Sequence, residues 1–121
     1  MSSAGDRGKR GEAVALEWLL AHGLVLRERN WRWNHKEIDL IMESERWLHI
    51  VEVKTLRAPA LTEPWERVNR EKQRNLALAA DHYVRERKIA KEVHFDIVSV
   101  LEEEDGEMRV RYIPEAFFAI Y

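Results

Sequence analysis

Residues 47–54 read W-L-H-I-V-E-V-K, and no other stretch restricts the fold of this chain so tightly. A run of strand length that is almost continuously apolar suits a strand covered on both faces. Alternation then places Leu48, Ile50, Glu52 and Lys54 on one face and Trp47, His49, Val51 and Val53 on the other. Glu52 and Lys54 carry full charges where core residues are expected, so what they meet there decides what the chain can do.

The rest of the sequence supplies the covering layers. Gly5, Gly8 and Gly11 space a lead-in to a helix over Glu12 to His22, in which Glu12, Leu16, Leu19 and Leu20 follow helical spacing. Gly23 ends it. Extended runs follow at Val25 to Trp33, Glu37 to Met42 and Trp47 to Thr55. Arg57 to Pro64, with Pro59 and Pro64, reads as a loop. A long helix over Glu66 to Arg87 carries Leu76, Ala79, Ala80 and Tyr83 on its inner stripe. Strands at His94 to Leu101 and Met108 to Ile113 flank an acidic turn at Asp105-Gly106, and Pro114 opens a short terminal helix or turn. The order α-β-β-β-α-β-β predicts an α/β fold, a small mixed β-sheet with a helix packed on each side. At 121 residues, without internal repeats or linkers, the chain suits one domain.

Composition excludes several chemistries. The absence of cysteine removes disulfides, thiolate zinc sites and a cysteine nucleophile. No apolar run approaches the roughly 20 residues needed to span a bilayer, and the opening MSSAGDRGKRGE lacks the apolar segment of a secretory signal. A soluble cytoplasmic protein with no membrane partner is expected. The formal charge of −2 argues against a binder driven by bulk charge, yet residues 67–91 hold eight Lys/Arg against three acids. Further basic clusters lie at Arg7, Lys9 and Arg10 and at Arg27, Arg29 and Arg32. This distribution allows contact with a polyanion, and equally allows solvated helix faces.

The strand pair gives the sharper signal. Glu37, Asp39 and Ile41 share a face of their strand, while Ile38, Leu40 and Met42 point away. A turn centred on Ser44-Glu45 pairs Ile41 with Leu48, Asp39 with Ile50 and Glu37 with Glu52. Asp39 and Glu52 are then diagonal neighbours about 7–8 Å apart at the backbone, with Lys54 on the same face. A slip of one residue separates them. Like charges placed together in a half-buried setting are destabilising unless a cation lies between them. Mg²⁺, or Mn²⁺, binds through one or two carboxylates with phosphate oxygens and water, a description that Asp39, Glu52 and a strand carbonyl fit. No closely spaced His pair offers zinc a site. Lys54 can position a water or offset charge on a phosphate, or simply pair with Glu52 or Glu37. Glu12 either complements the dipole of the first helix or points at the strand pair. Gly8 and Gly11 permit close approach to a sheet or a phosphate. Trp31 and Trp33, interleaved with arginines, either stack bases or seal a sheet edge, with packing favoured.

Glu12, then Glu37-x-Asp39, then Glu52-x-Lys54 together resemble the PD-(D/E)xK nuclease superfamily. Within it, GKRGEAVALEWLLAHG, RNWRWNHKEIDLIM, HIVEVKT, EKQRNLALAADHYV and HFDIVSV resemble the bacterial family known as YraN or UPF0102, similar in fold to archaeal Holliday junction resolvases. The resemblance implies a restriction-endonuclease-like fold and one nuclease-like domain over residues 1–121. It implies that Asp39 and Glu52 hold the metal ion, that Glu12 assists through a water or a second ion, and that Lys54 is the catalytic lysine. Gln73 matches a helical polar residue near the scissile phosphate. Ile38 stands where the superfamily's proline precedes the Asp, and Asp96 in HFD suits a structural hydrogen-bonding role. The activity implied is Mg²⁺-dependent hydrolysis of DNA phosphodiester bonds, in branched or damaged structures. Arg7, Lys9, Arg10, Arg57, Arg70, Lys72 and Arg74 would grip flanking phosphates, and symmetric cutting of two strands suits a homodimer. The alternatives are a non-catalytic nucleic-acid-binding or accessory protein that keeps the fold, and an interaction protein whose charges form a salt-bridge network.

Overall fold

A computed structural model describes residues 4–118. Helix α1 (Ala4–Ala21) precedes strands β1 (Val25–Trp33), β2 (Lys36–Glu43) and β3 (Trp47–Arg57). A 3₁₀ turn at Pro64–Arg67 leads into α2 (Arg70–Arg87), followed by β4 (Glu92–Glu102) and β5 (Met108–Phe117). This is the expected order of elements. The strands form one open sheet in the order β1-β2-β3-β4-β5. Only β3 and β4 are parallel, and α2 makes the crossover between them; the other pairs are antiparallel. One core lies between α2 and the sheet, around Ile41, Ile50, Leu76, Ala80 and Tyr83. A second lies under α1, around Ala15, Leu19, Leu40, Met42 and Val51.

Helix α1 starts eight residues earlier than the glycine spacing suggests, and Gly5, Gly8 and Gly11 lie inside it. Packing outweighs their poor helix propensity. The buried stripe is Gly11, Ala15 and Leu19, while Leu20, expected inside, is 47% exposed. Full burial of Leu19 contributes about 1.5–3 kcal/mol. Gly11 belongs to the stripe because nothing larger fits: a Cβ there would lie 2.2 Å from Thr55 Oγ1 and 3.2 Å from Thr55 Cβ. At Gly8 nothing lies within 4 Å. The two glycines should therefore respond oppositely to alanine. Gly8→Ala is expected to stabilise the protein by about 0.5–1 kcal/mol through helix propensity. Gly11→Ala should destabilise it by about 1–3 kcal/mol through overpacking against β3. Thermal unfolding of the two variants checks this; a Gly11→Ala protein as stable as wild type would remove the close contact from the account.

The helix exits as expected. Gly23 has φ +91°, and the N–H groups of Leu24 and Gly23 donate to the Leu19 and Leu20 carbonyls, a Schellman closure.

The β2–β3 register differs from the expected one by two residues: Ile41 pairs with Ile50, Met42 with His49 and Glu43 with Leu48. The turn keeps its length but moves one residue along the chain, centred on Glu45-Arg46 and closed by the Ser44 N–H on the Trp47 carbonyl at 3.0 Å. An even slip keeps every side chain on its face, so Asp39 and Glu52 stay together and come closer. Ile38 is the exception to alternation. It packs in the α2-side core with Ile41, opposite β1 where Asn30 takes φ 52° between the pairs Arg29–Leu40 and Trp31–Ile38.

Two other boundaries move for local reasons. The long helix begins at Arg70, not Glu66, because Val68 and Asn69 are non-helical; the Asn69 side chain accepts the Lys72 N–H at 2.9 Å as an N-cap. Pro114 opens no helix. Strand β5 continues to Phe117, with Glu115 at φ 46° beside a register irregularity, a position where an edge strand tolerates a residue without an N–H.

Candidate functional site

The paired part of β2 and β3 runs as far as Leu40–Val51. One residue beyond, Asp39 Oδ2 accepts the Val53 N–H at 2.8 Å, so a side chain replaces a backbone acceptor where the strands part. Glu52 sits beside it, only 3% exposed. Its Oε1 lies 3.5 Å from Lys54 Nζ and its Oε2 lies 3.6 Å from Lys72 Nζ. Both separations exceed those of a charge-assisted hydrogen bond, about 2.7–2.9 Å. The ammonium groups thus offset the charge of Glu52 without satisfying its lone pairs, and Oε2 is buried with no hydrogen-bond partner. Among the described residues only Glu102 Oε2 shares that condition.

Burial pushes the Asp39 carboxyl up to about 7, and the adjacent Glu52 charge pushes in the same direction; the Val53 N–H and Lys72 oppose them. The sign follows from the folded value lying above the unfolded 3.8. Below about pH 4 both states hold this proton, and the contribution to stability is fully present. As pH rises through about 7 the folded state must ionise against burial, and the contribution is lost. Comparing metal-free wild type with Asp39→Asn by denaturation from pH 4 to 8 should show wild type losing stability relative to the variant across this interval. A constant difference would show that Asp39 titrates normally.

The other predicted residues are spread more widely. Glu12 Oε1 accepts from Arg29 Nε at 3.0 Å, and Glu37, expected opposite Glu52, pairs with Arg32 at 3.2 Å. Among the described residues no three His, Cys, Asp or Glu side chains are grouped to hold an ion; the cluster is a two-carboxylate one. Gln73 Nε2 donates to the Val68 carbonyl at 3.0 Å, bracing the entry to α2. Lys72, read from sequence as a phosphate contact, reaches the acid pair itself. Arg57, Arg70 and Arg74 are exposed on the elements that carry Lys54 and Lys72. Lys9 is exposed on α1, and Arg10 lies 3.8 Å from Glu102. Arg7 falls in α1, but its side chain lies outside the described residues. Trp31 and Trp33 pack against Tyr83 and His82, at ring separations of 5.1 and 4.3 Å.

A second polar cluster gathers around Asp96, to which the motif reading gave a structural hydrogen-bonding role without naming its partners. Asp96, fully buried, accepts from His49 Nδ1 at 2.7 Å, the Tyr112 hydroxyl at 2.5 Å and the Glu115 N–H at 2.9 Å. The far nitrogen of His49 lies 2.8 Å from Ser44 Oγ. The available signal was a histidine inside the apolar run of β3, a polar group that burial obliges to find partners.

No helix among the described residues is long and apolar enough to cross a membrane. A model of the family described as "Uncharacterised protein family UPF0102" matches residues 11–100. The chain is 39% identical over 119 residues to a UPF0102 protein of Parabacteroides distasonis, covering 98% of each chain. It is 39% identical over 118 residues to one of Bacteroides thetaiotaomicron, covering 98% of this chain and 97% of that one. A UPF0102 protein of Porphyromonas gingivalis is 36% identical over 118 residues, with 97% and 87% covered. Matched along nearly its whole length, with Asp39, Glu52 and Lys54 inside the matched segment, this chain belongs to the UPF0102 family.

Proposed function

We propose that the chain is a metal-dependent endonuclease of the PD-(D/E)xK kind, acting on DNA. The observation that carries this reading is the buried, partnerless Oε2 of Glu52, with a second carboxylate beside it and two ammonium groups facing it. A pair of acids destabilised in this way fits a hard divalent cation, and two oxygen ligands with no imidazole or thiolate fit Mg²⁺ or Mn²⁺ better than zinc. Asp39 and Glu52 would hold the ion. When bound, it supplies polarisation of the phosphate and acidification of an attacking water.

The remaining work falls to the chain. Lys54 shares the face of Glu52 and orients the water or neutralises charge growing on the phosphate oxygens. Lys72, near the positive end of α2, binds a non-bridging oxygen. Arg57, Arg70 and Arg74 bind flanking phosphates without reading bases. Glu12 enters only by leaving Arg29. A helix, three antiparallel strands, a crossover helix and a parallel strand, with the acids where β2 and β3 diverge, also support the restriction-endonuclease-like assignment.

The test is incubation of wild type and Lys54→Ala with labelled linear, flapped and four-way DNA in Mg²⁺, Mn²⁺ or chelator. Metal-dependent cleavage by wild type, lost in the variant, is expected. Equal gel shifts with no cleavage by either protein would make this a binding module. Mg²⁺ at 100 times its Kd should also stabilise wild type by about 2.7 kcal/mol, seen as a higher Tm that Asp39→Asn abolishes.

A further inference from the structure

The second cluster has a direction. Asp96 receives three donors, and a carboxylate only accepts, so the His49 ring proton sits on Nδ1. Burial and Asp96 hold the Tyr112 phenol well above its ordinary value, which keeps it a donor. In the neutral imidazole the lone pair on Nε2 then faces Ser44 Oγ at 2.8 Å. The Ser44 hydroxyl has one other acceptor, the Trp47 carbonyl, at the weaker distance of 3.4 Å. Hydroxyl, imidazole and buried carboxylate are thus in series, with the base in reach of the nucleophile and the base itself oriented. Ser44 is half-buried in the β2–β3 turn. It borders a groove of about 520 Å³ shared with Trp47, His94, Tyr112 and Pro114. The Trp47 and His94 rings stack at 4.5 Å, and Glu92 and Glu115 line the same groove. By strand alternation His49 faces away from Glu52.

We propose that Ser44 is a base-activated nucleophile, a reactive centre separate from the acid pair, that takes the acyl group of small uncharged carboxylic esters. The aromatic walls favour an apolar acyl group, and the two carboxylates disfavour an anionic one. His49 Nε2 removes the hydroxyl proton as Oγ bonds to the ester carbonyl carbon. The bond from that carbon to the alcohol oxygen then breaks, and the alcohol leaves with the proton returned by Nε2. Water activated by the same nitrogen releases the acid and restores Ser44.

A fluorophosphonate probe reads the first half of this sequence, since Oγ bonds to phosphorus as fluoride leaves. Incubated with the whole protein and mapped by mass spectrometry, it should give one adduct per chain, on Ser44. Ser44→Ala should show none, and His49→Gln should label at least about 100-fold more slowly. Glu52→Gln should label as wild type does, so the outcome is independent of any nuclease activity. If His49→Gln does not fold by circular dichroism, the wild-type pH profile decides: labelling must rise with loss of a single proton. No adduct at Ser44, an equal rate in folded His49→Gln, or a flat pH profile would each leave His49–Asp96 a structural pair only.

Discussion

Glu52→Gln is expected to lower metal-dependent DNA cleavage by at least about 10³-fold while leaving the metal-free protein as stable as wild type, or more so. The two effects have one cause. In the absence of a cation Glu52 is buried beside Asp39, with one oxygen unpartnered. Glutamine is the same shape without the charge, so the repulsion disappears and the Asp39 carboxyl returns toward its ordinary range. Lys54 and Lys72 lose a counter-charge, but their side chains are 20% and 40% exposed, and water can take them. The cost of that loss is on the order of 1 kcal/mol or less. In the proposed nuclease, cleavage by contrast would need both carboxylates to hold the ion, and an amide is a poor ligand for Mg²⁺. Single-turnover cleavage and denaturation in chelator together decide the matter. Wild-type cleavage by Glu52→Gln would eliminate the acid pair as the catalytic centre. Activity lost only in step with unfolding would make Glu52 a structural residue.

The largest effect on stability is expected at Asp96. Alanine there removes the acceptor for His49 Nδ1, the Tyr112 hydroxyl and the Glu115 N–H, three donors gathered around a carboxylate that is itself fully buried. Each orphaned buried donor costs about 1–3 kcal/mol, and the donors can relax only in part, so a total of roughly 3–5 kcal/mol is expected. Against a typical stability of about 5–15 kcal/mol, that is a large fraction. Tyr112→Phe removes one donor along with its need for a partner and should cost only about 1 kcal/mol. Urea denaturation of the two variants gives the comparison. Near-equal losses would mean that the network is worth no more than its Tyr112 bond.

The alternation in WLHIVEVK and KEIDLIM was enough to place Asp39, Glu52 and Lys54 on one face, and the two-residue error in register did not disturb it because strand period is two. Parity survives an even slip; distance does not. The cluster is therefore tighter than the expected diagonal, and Asp39 reaches the Val53 backbone. Glu12 illustrates a different limit. Its position on α1 was legible, but its partner Arg29 lies on another element, and local spacing cannot say which cation a carboxylate will meet. Gly11 misled for the same reason: propensity counts it against a helix, while Thr55, 44 positions away in sequence, makes it the only residue that fits.

The order of residues thus determined by itself the elements, their sequence, the two-sided burial of β3 and the face on which its charges lie. These follow from spacing and propensity, which act over a few residues. Tertiary structure alone decided that Lys72 of α2 closes on Glu52, that Arg29 holds Glu12, and that His49 of β3 joins Ser44 to Asp96 of β4. Each of those contacts spans chain segments that only the folded sheet and its crossover helix bring within hydrogen-bonding or ion-pairing distance.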